Sequence, residues 1–307
     1  MSWQAVAQKD FEDAIRSRWL WGLSAFFLLF FGGTTTLFYA YVATGSDASS
    51  DALFGLFASG FLSFSYTGFL AFALAFIALI TSYGAVVDER ESGTLKLLLS
   101  LPHDRRDVVT GKIAGRSAVV VIPALVGFLI ALVALLATGT RIVPEHFFPQ
   151  VALTALLAVA FVSIGVGVSA SADSGRQATL GTLGLYFLFA LLWSFVARGF
   201  PQLLTEIAKR VPGMEPLSNA LTVKLRLFVK YLNPLRAYET LVAEVYFGDP
   251  VQARLVKEGF FAQAQAAPVL QESLPVYLTG SFIFAVLLAW IVVPPLLGYW
   301  SFRDRDL

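Results

Sequence analysis

The segment VVDERESGTLKLLLSLPHDRRDVVTGK, residues 86–112, lies between two stretches too apolar to dissolve in water. Residues 88–116 carry five acidic and six basic side chains. Residues 52–87 before them and 117–140 after them contain no Asp, Glu, Lys or Arg. An α-helix needs about 20 apolar residues to cross the ~30 Å hydrocarbon core of a bilayer. Both flanks exceed that length, so the segment reads as a charged connector between two membrane crossings.

The same measure applied outward finds six long charge-free intervals and places six transmembrane helices at 19–42, 63–86, 117–140, 148–171, 177–197 and 278–301. The interval 52–87 is too long for one crossing at ~1.5 Å per residue. Its glycine-containing first part (ALFGLFASG) is therefore expected at the outer interface. Composition agrees: 57% of residues are hydrophobic, mean hydropathy is +0.72 and 14% are charged, against about 25% charged in an ordinary soluble domain. The fold class expected is all-α, a polytopic membrane protein forming a single unit over 1–307. Formal net charge is +1, which supplies no field to recruit nucleic acid. The absence of cysteine removes disulfides and thiolate chemistry. Residues 1–18 carry Asp10, Glu12 and Asp13 and precede an apolar run too long for a signal peptide, so the first span is expected to stay.

Lys and Arg set the orientation. With both termini inside, the cytoplasmic segments hold twelve of them and the two short outer loops hold only Arg141. No span carries a charged residue, and both histidines, His103 and His146, fall in or beside loops. Charge within a bilayer costs at least ~2.5–3.5 kcal/mol per residue and appears where function needs it. A proton- or ion-coupled carrier commonly needs such a group, so this pattern argues against an ATP-independent secondary transporter or channel, the main alternative. An intramembrane enzyme lacks its base and its H-E-x-x-H metal motif. No phosphate-binding G-x-x-x-x-G-K-[ST] is present either, because Gly111-Lys112 lacks the upstream glycine and is followed by Ile113. Energy for uphill movement must then come from another polypeptide.

Within the connector 88–116, Leu95, Leu98, Leu99 and Leu101 recur at roughly helical spacing. Ser92-Gly93-Thr94 can break one helix and cap the next, Pro102 stops the short helix, and Asp104 can cap another that rises into the third span. Two helical pieces meeting at a glycine corner suit docking on a soluble partner; an anchoring loop fits the local features equally well.

ERESGTLKLLLSLP (residues 89–102), followed by a basic patch and Gly-Lys, resembles the signature of the ABC type-2 transporter permease family, especially the bacterial and archaeal branch that includes NosY. The resemblance extends in layout over most of the chain, whereas its motif occupies about 25 residues. It implies a coupling corner made by Glu89, Arg90, Glu91, Gly93 and Thr94 and seated by Leu95, Leu98 and Leu99. It further implies a separate ABC ATPase subunit that binds the ATP, a second permease copy or paralogue, export as the direction, and a prokaryotic plasma membrane. No cofactor of the chain's own is implied. No Met or His cluster lines a span, so a metal cargo does not follow.

At the N-terminus, Trp3, Val6, Ala7, Phe11, Ala14, Ile15 and Trp19 share one helical face, with Lys9, Glu12, Asp13 and Arg16 opposite. This is an interfacial amphipathic helix over 1–18, the place of the family's connecting helix. Residues 198–277 form a polar extracytoplasmic segment. PQLLTEIAKRV, EPLSNALTVKLRLFVKYLN and NPLRAYETLVAEVYFG read as amphipathic helices lying on the outer mouth, with Leu217, Leu221, Leu225, Phe228 and Leu232 as an apolar stripe. Ser163, Gly165, Gly167 and Ser169 mark close helix packing in the fourth span.

Overall fold

The computed structural model describes residues 3–16, 18–41, 66–94, 104–139, 141–256, 258 and 260–303. Among them there is no β-strand. The helices are α1 (Trp3–Ile15), α2 (Arg18–Tyr41), α3 (Tyr66–Ser82), α4 (Val87–Glu91), α5 (Arg105–Ala137), α6 (Pro144–Ser171) and α7 (Gly175–Phe187). A π-helical turn (Leu188–Leu192) joins α7 to α8 (Trp193–Arg210). Then follow α9 (Asn219–Tyr231), α10 (Pro234–Phe247), α11 (Pro250–Leu255), α12 (Phe260–Glu272), a 3-10 turn (Val276–Leu278) and α13 (Gly280–Arg303). Five helical stretches are long and apolar enough to cross a membrane, and α2 adds the shorter apolar run Gly22–Thr34.

The outer surface of the bundle is apolar: Val133 is 58% exposed, Leu136 61% and Phe195 68%. Water would not tolerate this much exposed hydrocarbon, but lipid does. Helices in lipid gain no hydrophobic drive by meeting one another, so close approach at small residues and interhelical hydrogen bonds must hold them together. Gly167 of α6 lies where a Cβ would sit 2.5 Å from the Pro294 carbonyl oxygen, and Gly298 of α13 lies 2.5 Å, by the same measure, from the Gly167 carbonyl. A Cβ at Gly165 would run into Ser82 of α3. Ser163 and Ser169 are fully buried on the same helix. The small-residue stripe of α6 therefore seats α3 and α13. α2 packs through aromatics, with the Phe31 and Phe128 ring centroids 4.3 Å apart.

The helix expected to rise from Asp104 into 117–140 is present: α5 starts after Asp104 at its N-cap and runs unbroken from Arg105 through Lys112 and Arg116. The helix that follows 177–197 does not stop there: it continues through Pro201 to Arg210, so residues 198–277 start inside a helix rather than after one. The segment also does more than lie on the mouth. α10 is buried almost throughout, from Pro234 to Ala243, and packs between α6, α13 and α3. On α9 the buried positions are Val223, Leu227, Val229 and Tyr231, while Leu221 faces out. Apolar residues surround that helix, and its neighbours choose the inward face.

Candidate coupling corner

Gly93 adopts φ +77°, a left-handed conformation that a Cβ disfavours, and it terminates α4. Thr94 Oγ1 donates to the Glu89 carbonyl at 3.2 Å, and the Ser92 and Thr94 hydroxyls lie 2.9 Å apart. Ser92 and Thr94 are exposed, so these residues form the tip. Leu95, Leu98 and Leu99 lie outside the described residues.

The three charged residues before the tip turn back into the protein, each to a different helix. Glu89 Oε1 accepts from Lys112 Nζ of α5 at 2.7 Å. Arg90 Nη2 donates to the Ala172 carbonyl at the end of α6. Glu91 Oε1 accepts from the Gly175 backbone N–H at 2.8 Å, placing a carboxylate on the N-terminus of α7, where the helix dipole favours it. The Val86 and Val87 N–H groups both donate to Ser169 Oγ, at 3.0 and 3.1 Å. The corner is thereby fastened to α5, α6 and α7 at once.

A buried ionic cluster backs it. Lys112 is 3% exposed and bridges Glu89 to Asp10 of α1, whose Oδ1 is 2.8 Å away. Arg116 Nε meets Asp10 Oδ2 at 2.8 Å, and its Nη1 donates to the Thr81 carbonyl at the end of α3. Lys9 approaches Glu89 at 3.8 Å. The backbones come close enough for this because Gly111 and Gly115 lack side chains. A Cβ at Gly111 would sit 2.6 Å from Val6 Cβ, and one at Gly115 would sit 2.9 Å from the Ala7 carbonyl oxygen. α1 therefore presents Val6 and Asp10 to α5, and Trp3 stays largely exposed. The side chains of Ala14, Ile15 and Trp19 lie outside the described ones.

Arginines recur at the C-terminal ends of the helices on this side. Arg116 caps α3, Arg90 caps α6, and Arg105 Nη1 donates to the Arg303 carbonyl of α13 at 2.8 Å. A cation at a helix C-terminus satisfies orphan carbonyls and the dipole together. Asp88, folded over Gly84, has its carboxyl raised above the usual range, first by desolvation and then by the Glu91 carboxylate.

Sequence reasoning named Glu89, Arg90, Glu91, Gly93 and Thr94, and the structure brings them together. It missed Asp10, Lys112 and Ser169 as their partners. The Gly111-x-x-x-Gly115 spacing was the available signal. No metal-holding group of three or more His, Asp or Glu occurs among the described residues.

Residues 4–307 match the family model described as ABC-2 family transporter protein. The chain is 28% identical over 313 residues to a probable ABC transporter permease protein NosY of Stutzerimonas stutzeri, covering 98% of this chain and 97% of that one. It is also 28% identical over 318 residues to the protein of the same name in Pseudomonas aeruginosa, covering 98% of each. A helical bundle with a lipid-compatible surface and a charged corner wired to three of its helices thus coincides with a family match over nearly the whole chain, and the protein belongs to the ABC-2 transporter family, as one of its permeases.

Proposed function

We propose that this permease is the passive gate of an exporter, working as a pair of six-span halves with two copies of a separate ATPase. Both termini lie in the cytoplasm of a prokaryotic cell, the N-terminal helix rests at the inner membrane surface, and residues 198–277 face outward. The ATPase engages the Ser92, Gly93 and Thr94 tip. Glu89, Arg90 and Glu91 pass its movement to the third, fourth and fifth spans. Leu95, Leu98 and Leu99 seat the tip on the ATPase.

The observation that supports this reading is the division of labour at the corner. An exposed glycine turn at the tip is followed inward by three charged side chains that grip three different helices. A connector that merely anchored two spans would have no need to hold the beginning of the fifth. The arginine caps on α3, α6 and α13 also gather positive charge at the corner end, as a cytoplasmic face requires.

The test is Glu91→Lys in the permease–ATPase complex reconstituted in vesicles. It places a cation on the N-terminus of α7 and should abolish ATP-driven transport while insertion and complex assembly persist. Normal ATP-driven transport by this variant refutes the coupling assignment. Solute accumulation driven by a proton or sodium gradient in the absence of the ATPase refutes the passive gate.

A further inference from the structure

The helix that starts at Gly175 beside the corner runs on to Arg210, and its α-helical regularity is interrupted by a single π-turn. At Leu188–Leu192 it passes through a π-helical turn before continuing as α8. Such turns widen the helix by one residue and occur often at functional sites. Three side-chain donors meet here at the bend between α9 and α10. Asn233, fully buried, donates through Nδ2 to the Phe189 carbonyl within the π-turn at 2.7 Å. Trp193 Nε1, one residue beyond the turn, donates to the Val229 carbonyl at 2.8 Å. Trp290 Nε1 of α13 donates to the Leu232 carbonyl at 2.8 Å. The Val229 carbonyl, which also accepts from the Leu232 N–H at 3.2 Å, and the Leu232 carbonyl just past the end of α9 are thus held by the two helices on either side.

Asn233 serves two partners with one carboxamide. Its Oδ1 accepts from the Leu235 N–H at 2.9 Å and caps α10, while its amide grips the π-turn. α10 is in turn the helix buried between α6, α13 and α3. Its own fastenings to α6 are side-chain hydrogen bonds, Thr154 Oγ1 with the Tyr238 hydroxyl at 2.9 Å and Tyr246 with Gln150.

We propose that Asn233 is the positioning residue that links the fifth span to the outer segment during transport: it locks the π-turn to the α9–α10 bend, so that displacement entering α7 at Gly175 moves α10 within the far end of the bundle. This rests on the reading of the corner as the point where movement enters. The π-turn is the compliant joint, and the Asn233 carboxamide, bonded through both its nitrogen and its oxygen, selects which side of the joint the outer helices follow.

The chain contains no cysteine, so spin-label pairs can be introduced directly into the full permease–ATPase complex, with labelled chains diluted by unlabelled ones. An inner pair, Thr110→Cys with Arg176→Cys, reports α7 against α5. An outer pair, Arg141→Cys with Asn219→Cys, reports α9 against the loop joining α5 and α6. All four positions are exposed. Trapping the ATPase with nucleotide should shift both distances in the otherwise unchanged protein. Asn233→Ser retains an N-cap oxygen but is too short to reach Phe189. It should keep the inner shift, lose the outer one, and lower transport by about tenfold, the size set by one buried hydrogen bond. Trp193→Phe preserves the ring and removes its donor, and it should weaken the outer shift in the same direction even if Asn233→Ser does not assemble. An outer shift that still follows the inner one in both variants overturns the latch alone. An inner pair that stays still in the unmodified complex overturns the corner reading, and the latch with it.

Discussion

Replacing Lys112 by Met tests how the N-terminal helix is attached to the rest of the molecule. Lys112 is the shared cation of two carboxylates, at 2.8 Å from Asp10 and 2.7 Å from Glu89, and all but 3% of it is buried. Removing one partner of a buried pair typically costs about 3–5 kcal/mol, because an uncompensated charge is left behind. Here Arg116 still holds Asp10 at 2.8 Å and Lys9 still approaches Glu89 at 3.8 Å. Both remaining cations favour the low end, ~3 kcal/mol. Loss of that stability falls on the α1–α5 contact and should speed amide exchange across residues 3–15 by about a hundredfold. Exchange in α6 and α13, which share no group with the cluster, should be unchanged. Adding Glu89→Gln to Lys112→Met should restore part of the loss, since Glu89 would otherwise keep only the more distant, exposed Lys9 at 3.8 Å, giving a non-additivity of about 1–3 kcal/mol. Unaltered exchange over residues 3–15 in Lys112→Met would refute the clasp and leave glycine packing as the whole attachment.

Glycine packing has its own signature. Gly111→Leu should release α1, because its side chain must enter the space of Val6 and the Trp3 carbonyl, whereas Gly184→Leu, with nothing within 4 Å of its Cβ, should not change exchange over residues 3–15. Gly93→Ala places a Cβ at φ +77°, costs roughly 1–2 kcal/mol of local strain, and should weaken ATPase binding to the permease in a pull-down titration without changing the thermal stability of the spans. Asp88→Asn should stabilise the protein at neutral pH. A carboxyl raised in the folded state by desolvation and Glu91 opposes folding while ionised, and this opposition disappears below the unfolded value of about 3.9; unfolding of both forms measured from neutral to acid pH should therefore converge as pH falls.

Much of this molecule could be read from its charges. A bilayer penalises ionised groups strongly enough that charge-free intervals mark helices: α3 falls inside the interval 52–87, and α6 and α13 begin and end within a few residues of 148–171 and 278–301. The corner was legible because Gly93 follows a run of helix-compatible charges and does adopt a left-handed turn. Its partners were harder to see. Asp10 falls in neither the apolar nor the charged face of the N-terminal helix that the periodicity defines, and Lys112 stands in sequence only as the Lys of the Gly-Lys pair after the basic patch. Their pairing requires the close crossing that Gly111 and Gly115 permit, which is a tertiary fact. α10 was mistaken for a surface helix because it carries Arg236, Glu239 and Glu244. In the structure Arg236 holds Glu239 at 2.9 Å and Arg254 holds Glu244, so the charges are paired and the helix can enter the bundle. Pro201 lies inside α8, which runs on to Arg210. Local signals establish where a helix can form; which of its faces is buried depends on neighbours far away in sequence.

Site-specific cross-linking from the tip tests the central claim most directly. With Thr94→Cys carrying a photoactivatable reagent in the assembled complex, the account predicts a covalent adduct with the ATPase whose yield changes when nucleotide is trapped. An assembled and ATP-hydrolysing complex that gives no adduct from residue 94 in any nucleotide state would contradict it.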